Sequence, residues 1–332
     1  MTLQLPFLNR RSFLAAGAAA GAATGFSTAF LAGAGSARAT APMAGEPVAG
    51  ALRRKVGDFE ITALLDGFLD IEPGLVLGYE EEEAGRLRDA AFVSGQALRI
   101  PVNAYLINTG DQLVLLDAGT SGSLGATLGH LLKPLAAVGV SPDQVDAVLI
   151  THMHPDHLFG VLDGEGRKVF PNAELILPEA DHAFWYDDAN LNVAPEQVKS
   201  FFIGARRAAD AYTDRQTLIS GENEVLPGIR PMPLHGHTPG HTGYVIDNAG
   251  ETLIVAGDIL HMAAYQFARP DWAIAFDVDA VQAAQTRTRF FDQILSERVM
   301  FAGMHVPFPG FGNVAREGDA YRFVPAPWPY TL

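Results

Sequence analysis

Short apolar runs alternate with stretches of helical spacing along this chain. Val145-Asp146-Ala147-Val148-Leu149-Ile150 is brief, apolar and β-branched, which predicts a buried strand. Phe59 to Leu65 reads as a first strand. Ala104 to Asn108, the turn Thr109-Gly110-Asp111 and Gln112 to Leu116 predict a hairpin. Glu174 to Leu177, Ile229 to Leu234, Tyr244 to Asp247 and Thr252 to Ala256 predict further strands, with Val299 to Gly303 as the last. Helical spacing covers Leu124 to Val138, Ala180 to Tyr186, Glu196 to Tyr212 and Val281 to Leu295, and Pro195 opens the third of these. Strands and helices are interspersed, with hairpins in both halves. That pattern predicts a layered α/β fold with mixed sheets rather than a simple parallel wind. No linker divides residues 53–332, which read as one large domain.

The first 39 residues change this picture, because they read as a leader to be set aside before fold reasoning. Asn9-Arg10-Arg11-Ser12-Phe13-Leu14 is a twin-arginine signal, an Ala/Gly-rich apolar stretch follows, and Ala37-Arg38-Ala39 is a small-residue cleavage site. The expected partner is the twin-arginine export machinery, and the expected location is the periplasm or outside the cell, with no stable membrane anchor. Residues 40–52, rich in Ala, Gly and Pro, read as a flexible lead-in. The chain has no cysteine, so disulfides, thiolate ligands and a cysteine nucleophile are excluded. Its formal net charge of −15 makes nucleic acid or anionic lipid a poor partner.

The chemistry concentrates in Thr151-His152-Met153-His154-Pro155-Asp156-His157, directly after the strand predicted over Val145–Ile150. Imidazoles and carboxylates at this density are the side chains that hold borderline-soft divalent metals such as zinc. Such a run is costly to keep for packing alone, since each buried ring needs polar partners. Three further segments place a ligand-type side chain just past a predicted strand, beside a glycine that lets the backbone bend. They are Gly236-His237-Thr238-Pro239-Gly240-His241, Gly257-Asp258 and Gly303-Met304-His305.

With Asp117 in Leu115-Leu116-Asp117-Ala118-Gly119, this ordered set resembles the metallo-β-lactamase superfamily over roughly residues 55–310. The resemblance implies a four-layer αβ/βα sandwich with the site along the edge between two sheets. It implies two divalent metal ions, taken as zinc. His152, His154 and His237 would hold one ion, Asp156, His157 and His305 the other, and Asp258 would bridge both. Asp117 would support the ligands without being one. The expected chemistry is hydrolysis by a bridging hydroxide, with Asp156 orienting it and passing its proton to the leaving group. Many members follow the metal run with a residue and two glycines, whereas this chain has Leu158-Phe159-Gly160. His130, His182, His235 and His261 have no motif partner and read as surface or core residues. His241 reads as a structural hydrogen-bonder.

The ligands do not choose the bond; the walls of the site do. Phe184, Trp185, Tyr186, Phe201 and Phe202 are candidate wall residues, with Leu124 past Asp117 and Phe308 past His305. Substrate contact is expected at Trp185, Phe201, Phe202, Leu124 and Phe308. The segment His235–Thr242, Phe184-Trp185, Phe201-Phe202, Pro309-Gly310 and Tyr321-Arg322-Phe323-Val324-Pro325 look like methyl parathion hydrolase and its exported lactonase and esterase relatives. Leu124 stands where those hydrolases carry a phenylalanine. The expected substrate is therefore a small apolar lactone or ester, with organophosphate triester cleavage as a side reaction. Glyoxalase II-like thioester hydrolysis and an iron dioxygenase of the same fold are the alternatives. Dimers are common among the resembled enzymes, though no interface is legible in the sequence.

Overall fold

The apolar run Leu113–Leu116 divides its side chains between two cores. Val114 and Leu116 enter one buried cluster and Leu115 another. The next strand repeats the division, with Ala147 and Leu149 in the first cluster and Val148 in the second. Strands covered on both faces read as continuous apolar runs, which is why these segments lack polar alternation.

In the computed structural model, residues 43–332 are described. The leader read over residues 1–39 lies outside the described residues. The first half contains β1 (Ala51–Val56), β2 (Phe59–Ile71), a two-residue β3 (Val76–Leu77), α1 (Glu81–Ala90), β4 (Leu98–Asn108) and β5 (Leu113–Leu116). Next come α2 (Leu132–Ala137), β6 (Ala147–Leu149), α3 (Pro155–Leu158), β7 (Glu174–Pro178), α4 (Glu179–Tyr186), α5 (Asp188–Val193), α6 (Glu196–Asp210) and β8 (Gln216–Ile219). The second half contains β9 (Ile229–Pro233), β10 (Thr242–Asn248), β11 (Glu251–Val255), α7 (Ala263–Gln266) and β12 (Ala273–Ile274). It ends with α8 (Ala280–Glu297), β13 (Met300–Ala302), β14 (Phe311–Glu317) and β15 (Ala320–Pro325).

One sheet has the order β1-β2-β4-β5-β6-β7-β8 and the other β15-β14-β13-β11-β10-β9, while β3 pairs with β12. Both large sheets are mixed: β5 to β8 are mutually parallel, as are β11 and β13. Ile61, Val114 and Leu149 of the first sheet share a core with Tyr244, Leu253 and Val255 of the second. Helices α2 and α6 cover the outer face of the first sheet through Leu135, Phe202 and Ala205. Helix α8 covers the second through Phe290, Phe291 and Ile294. Each such fully buried apolar side chain contributes about 1.5–3 kcal/mol. The result is the expected four layers, helix–sheet–sheet–helix.

Several boundaries differ from the sequence reading. The folded unit begins at Val48 and β1 at Ala51, inside the segment read as lead-in over residues 40–52. The helix expected over Leu124–Val138 is reduced to α2. The buried carboxylate of Asp66 accepts hydrogen bonds from the amides of Gly129 and Leu131 at 2.9 Å each, which holds the preceding stretch as a loop. Strand β2 runs on through Asp66-Gly67 by a bulge, although that pair reads as a strand end. Val299–Gly303 is not the last strand. The hairpin β14–β15 follows, and its charged residues Arg316, Glu317 and Asp319 disguise an edge whose apolar face packs on the core.

Two residues after the metal run explain its local shape. The ring of Phe159 packs over Gly204 of α6. Gly160 donates its amide to the carbonyl of Gly119 at 2.8 Å, and a Cβ there would run into the carbonyl oxygen of Ala118. Gly160→Ala should therefore lower stability by about 1–3 kcal/mol through backbone displacement. Urea unfolding would show a lower midpoint at unchanged m; an unchanged midpoint would mean the contact is not tight.

Candidate metal centre

Parallel strands deliver the candidate ligands to one edge. Beyond β6 the chain is extended at His154, so His152 and His154 share a side while Met153 is buried in the core between them. Pro155 then starts α3, with its φ already suited to the first helical position, and that turn carries Asp156 and His157 round. His237 follows β9, Asp258 follows β11 and His305 follows β13. The predicted ligands thus meet in space. His152, His154 and His237 form one group and Asp156, His157 and His305 another, while Asp258 lies with His152 and His157 and also with His237 and His261.

The hydrogen-bonding pattern sets which nitrogens carry protons. His157 Nδ1 lies 2.7 Å from Asp117 Oδ2, His237 Nδ1 2.7 Å from Asp277 Oδ1 and His305 Nδ1 2.8 Å from the carbonyl of Pro101. Each of these Nδ1 atoms must donate, so in the neutral ring the lone pair is on Nε2. His152 behaves likewise. Thr151 donates its hydroxyl to Asp117 Oδ2 at 2.8 Å, so its oxygen accepts from His152 Nδ1 at 3.0 Å. His154 turns Nδ1 inward instead. The nitrogens of the first group then face one another at 2.9, 2.9 and 3.2 Å. Converging lone pairs at that spacing repel, and a cation between them removes the repulsion. His157 Nε2 and Asp258 Oδ1 are also buried without a hydrogen-bond partner. Nitrogen and carboxylate donors in this arrangement fit a divalent metal.

Asp117 and Asp181 organise the ring of ligands. Asp117 sits at φ 60, a left-handed conformation that costs an L-residue about 1–2 kcal/mol. Its carboxylate offsets this by accepting from Thr151 N and Thr151 Oγ1 at 2.8 Å each, as well as from His157. Asp181 accepts from Met153 N at 2.6 Å, Gly240 N at 3.2 Å and Trp185 Nε1 at 3.1 Å. It joins the loop of His152 and His154 to the loop of His237, and both to the wall of the site. Neither Asp181 nor Asp277 was read from the sequence, because nothing in their local spacing marks them.

His241 uses both ring nitrogens, Nδ1 to the carbonyl of Leu234 at 2.8 Å and Nε2 accepting from Asp258 N at 2.9 Å. It therefore has no lone pair for a metal. His130 and His235 are exposed, and His182 stacks on Tyr186. His261 corrects the sequence reading, which left it among surface or core residues. Its Nε2 lies 3.1 Å from Asp258 Oδ2 and its ring stacks on His305. The signal was present: His261 follows Asp258 in the same strand-end loop, the rule that found the other ligands.

Burial controls the charge states. Desolvation holds His152 and His154 well below the usual imidazole range, and brings His261 down to about 4 and His241 to about 3. Burial also opposes charge on His157, but the carboxylates of Asp258, Asp156 and Asp117 outweigh it and push its pKa well up. Burial would raise Asp258, yet the surrounding histidines, His157 and His305 foremost, hold it well below the carboxylate range. Deprotonated acids beside mostly neutral imidazoles are the forms that bind metal.

A cavity of about 420 Å³ opens on this cluster. Leu124, Trp185, Phe201 and Phe202 line it, with Phe184, Val198, Phe276 and Val278. Trp185 is held against His154, their rings 5.5 Å apart. Phe308, expected at the substrate, is elsewhere: it lines a separate cleft with Ala49, Pro309 and Trp328. The tight turn after His305, closed by Gly310 N to the carbonyl of Pro307 at 2.9 Å, takes it there.

Residues 98–302 match the model of the Metallo-beta-lactamase superfamily. The chain belongs to that superfamily. It has the metallo-beta-lactamase fold and is a metal-dependent hydrolase with lactonase homologues. Among solved structures, AbOPH, a hydrolase in the beta lactamase superfamily, is 31% identical with a TM-score of 0.81, over 86% of this chain and 100% of that one. AidC, a dizinc quorum-quenching lactonase in complex with a product, is 25% identical with a TM-score of 0.80, over 84% of this chain and 98% of that one. The N-acyl homoserine lactonase of Bacillus thuringiensis is 25% identical over 178 residues, which span 48% of this chain and 63% of that protein.

In this superfamily member, Asp117→Ala should strand the amide and hydroxyl of Thr151 and free the ring of His157 to turn. Zinc competition titration should then show one of the bound equivalents weakened about 10- to 100-fold. Unchanged affinity for every equivalent would remove Asp117 from the support of the site.

Proposed function

We propose that this chain hydrolyses neutral lactones that carry an apolar substituent, using two zinc ions. The observation that carries the reading is the composition of the cavity over the imidazole–carboxylate cluster. Beyond the histidines and aspartates of the cluster, its lining is leucine, isoleucine, valine, alanine, proline and aromatic side chains, with no lysine or arginine. A buried anionic group would have nothing to pair with there. That argues against a glutathione thioester or another substrate recognised through a carboxylate. The lactonase relatives and the product-bound dizinc neighbour support the same reading. A neutral phosphotriester also lacks charge, so the wall composition favours it as a second, slower substrate. On the leader read in residues 1–39, the place of action is the periplasm or the exterior.

In this proposal His152, His154 and His237 would hold one ion and Asp156, His157 and His305 the other, with Asp258 available to both. Such ions supply Lewis acidity and make a nucleophilic hydroxide available near neutral pH. The chain's own residues do the rest. Trp185, Phe201 and Phe202 hold the apolar substituent and exclude water. Asp156, whose side chain is 12% exposed at the mouth of the cluster, is placed to take the proton released on attack and return it to the leaving alkoxide.

The test is a parallel screen of zinc-loaded protein on acyl-homoserine lactones, alkyl and aromatic lactones, p-nitrophenyl esters, a methyl phosphotriester, a glutathione thioester and a β-lactam. Lactones with apolar substituents should have the highest kcat/KM. Fast thioester turnover with no lactone or ester turnover would sink the proposal, and oxygen uptake with a thiol would point to dioxygenase chemistry. Removing the metal with a chelator should abolish turnover and lower Tm. A ligand present at 100 times its Kd stabilises the fold by about 2.7 kcal/mol.

A further inference from the structure

The cleft that receives Phe308 encloses about 520 Å³ and shares no lining residue with the cavity over the metal centre. Its walls come from three stretches of chain. Leu52 and Arg54 of β1 join Leu65 of β2, Phe308 and Phe311 stand around the start of β14, and Trp328 lies beyond β15. Backbone bonds hold these stretches in place, Leu65 N donating to the carbonyl of Gly50 and Ala326 N to that of Phe311, each at 3.0 Å. Among the described residues that line the cleft, Arg54 alone is charged.

Arg54 stands where the strand pattern calls for an apolar side chain. Leu52 and Val56, two residues to either side, belong to the core between the sheets, whereas Arg53 alternates to the other face and pairs with Glu60 at 3.5 Å. Arg54 has no such partner among the described residues. Its Nη1 lies 2.9 Å from Met300 Sδ, a weak acceptor, and its guanidinium carbon 5.0 Å from the centre of the Phe311 ring. Burial lowers its pKa, with no carboxylate to offset the effect. Other arginines drawn into the fold are given oxygens. Arg88 reaches Tyr79, Tyr265 and Glu81, Arg206 reaches Asp188 and the carbonyl of Trp185, and Arg287 reaches three carbonyls. A half-buried guanidinium without an oxygen partner is costly, and an anion in the cleft would remove that cost.

We propose that this cleft binds a small carboxylate with an apolar body, its oxygens paired with Arg54 and its body held against Phe308, Phe311 and Trp328. Charge complementarity selects the head, and the apolar and aromatic walls select the rest. The proposal goes beyond the hydrolase reading and does not depend on it, because none of these residues belongs to the metal centre or its cavity.

Trp328 supplies the readout. It is 64% exposed, whereas Trp185 and Trp272 are 1% and 0% exposed. Octanoate titrated into the zinc-loaded protein should change tryptophan emission saturably. Trp328→Phe should abolish that change, which separates it from any binding beside Trp185. 1-Octanol, the same body without the charge, and acetate, the same head without the body, should each bind at least about tenfold more weakly than octanoate. Arg54→Met keeps an apolar stem beside Phe311; it should remain folded by its Tm and lose about tenfold or more in octanoate affinity. Arg54→Lys should keep the preference for octanoate over 1-octanol. An emission that does not respond, equal binding of octanoate and 1-octanol, or a folded Arg54→Met that binds octanoate like the unaltered protein would overturn the proposal and leave Arg54 as a charge guarding the edge strand β1. Emission that shifts on dilution without octanoate, with a dimer mass in light scattering, would assign the cleft to a second copy of the chain and overturn it as well.

Discussion

Buried imidazoles can offer bare nitrogens to a common centre only when something holds each proton on the far side of the ring. Here Thr151, Asp117, Asp277 and the carbonyl of Pro101 do so for His152, His157, His237 and His305. Each acceptor comes from a different segment, so the centre exists only if the layers are locked together. The carbonyl of Pro101 in β4 of the first sheet orients His305, which follows β13 of the second. Asn103 and Tyr105, also in β4, bind the carbonyl of Gly303 at 3.1 and 2.9 Å and fix the same join. The core between the sheets and the proton pattern of the site are therefore one constraint.

The cost of that constraint is visible beside the histidines. Asp117 holds a left-handed backbone, and Asp117 and Asp181 are carboxylates removed from water, so burial pushes the pKa of each upward. Their hydrogen-bond donors are loop amides and hydroxyls, which ties loop geometry to ligand geometry. Asp181 carries the coupling further. By accepting from Trp185 as well as from Met153 and Gly240, it ties the wall of the cavity to the histidine loops.

The metal-binding run was legible because its chemistry is local: imidazoles two apart on an extended segment, then a proline-started turn. Asp117, His237, Asp258 and His305 were legible through one recurring context, a ligand-type side chain past a strand. His261 meets the same criterion and was missed, since no recognised motif included it. Trp185, Phe201 and Phe202, named from an aromatic-rich insertion, and Leu124, named for its place past Asp117, do line the cavity, whereas Phe308 does not. An offset of a few residues from a ligand says little when a tight turn lies between. The hairpin β14–β15 and helix α1 were hidden by charge on their exposed faces.

By itself, the sequence determined the kind of chemistry, because a carboxylate–imidazole set of this density is recognisable without coordinates, and it determined the layered fold, because strands buried on both faces leave continuous apolar runs. Only the tertiary structure decided which nitrogen of each ring is bare, since that depends on acceptors distant in sequence: Asp117 for His157, Asp277 for His237 and Pro101 for His305. It alone brought His261 to Asp258, sent Phe308 to another cleft and closed an uncharged wall over the site. A proton's position on a ring and the polarity of a cavity are set by what arrives from elsewhere in the chain, and adjacency in sequence does not record that.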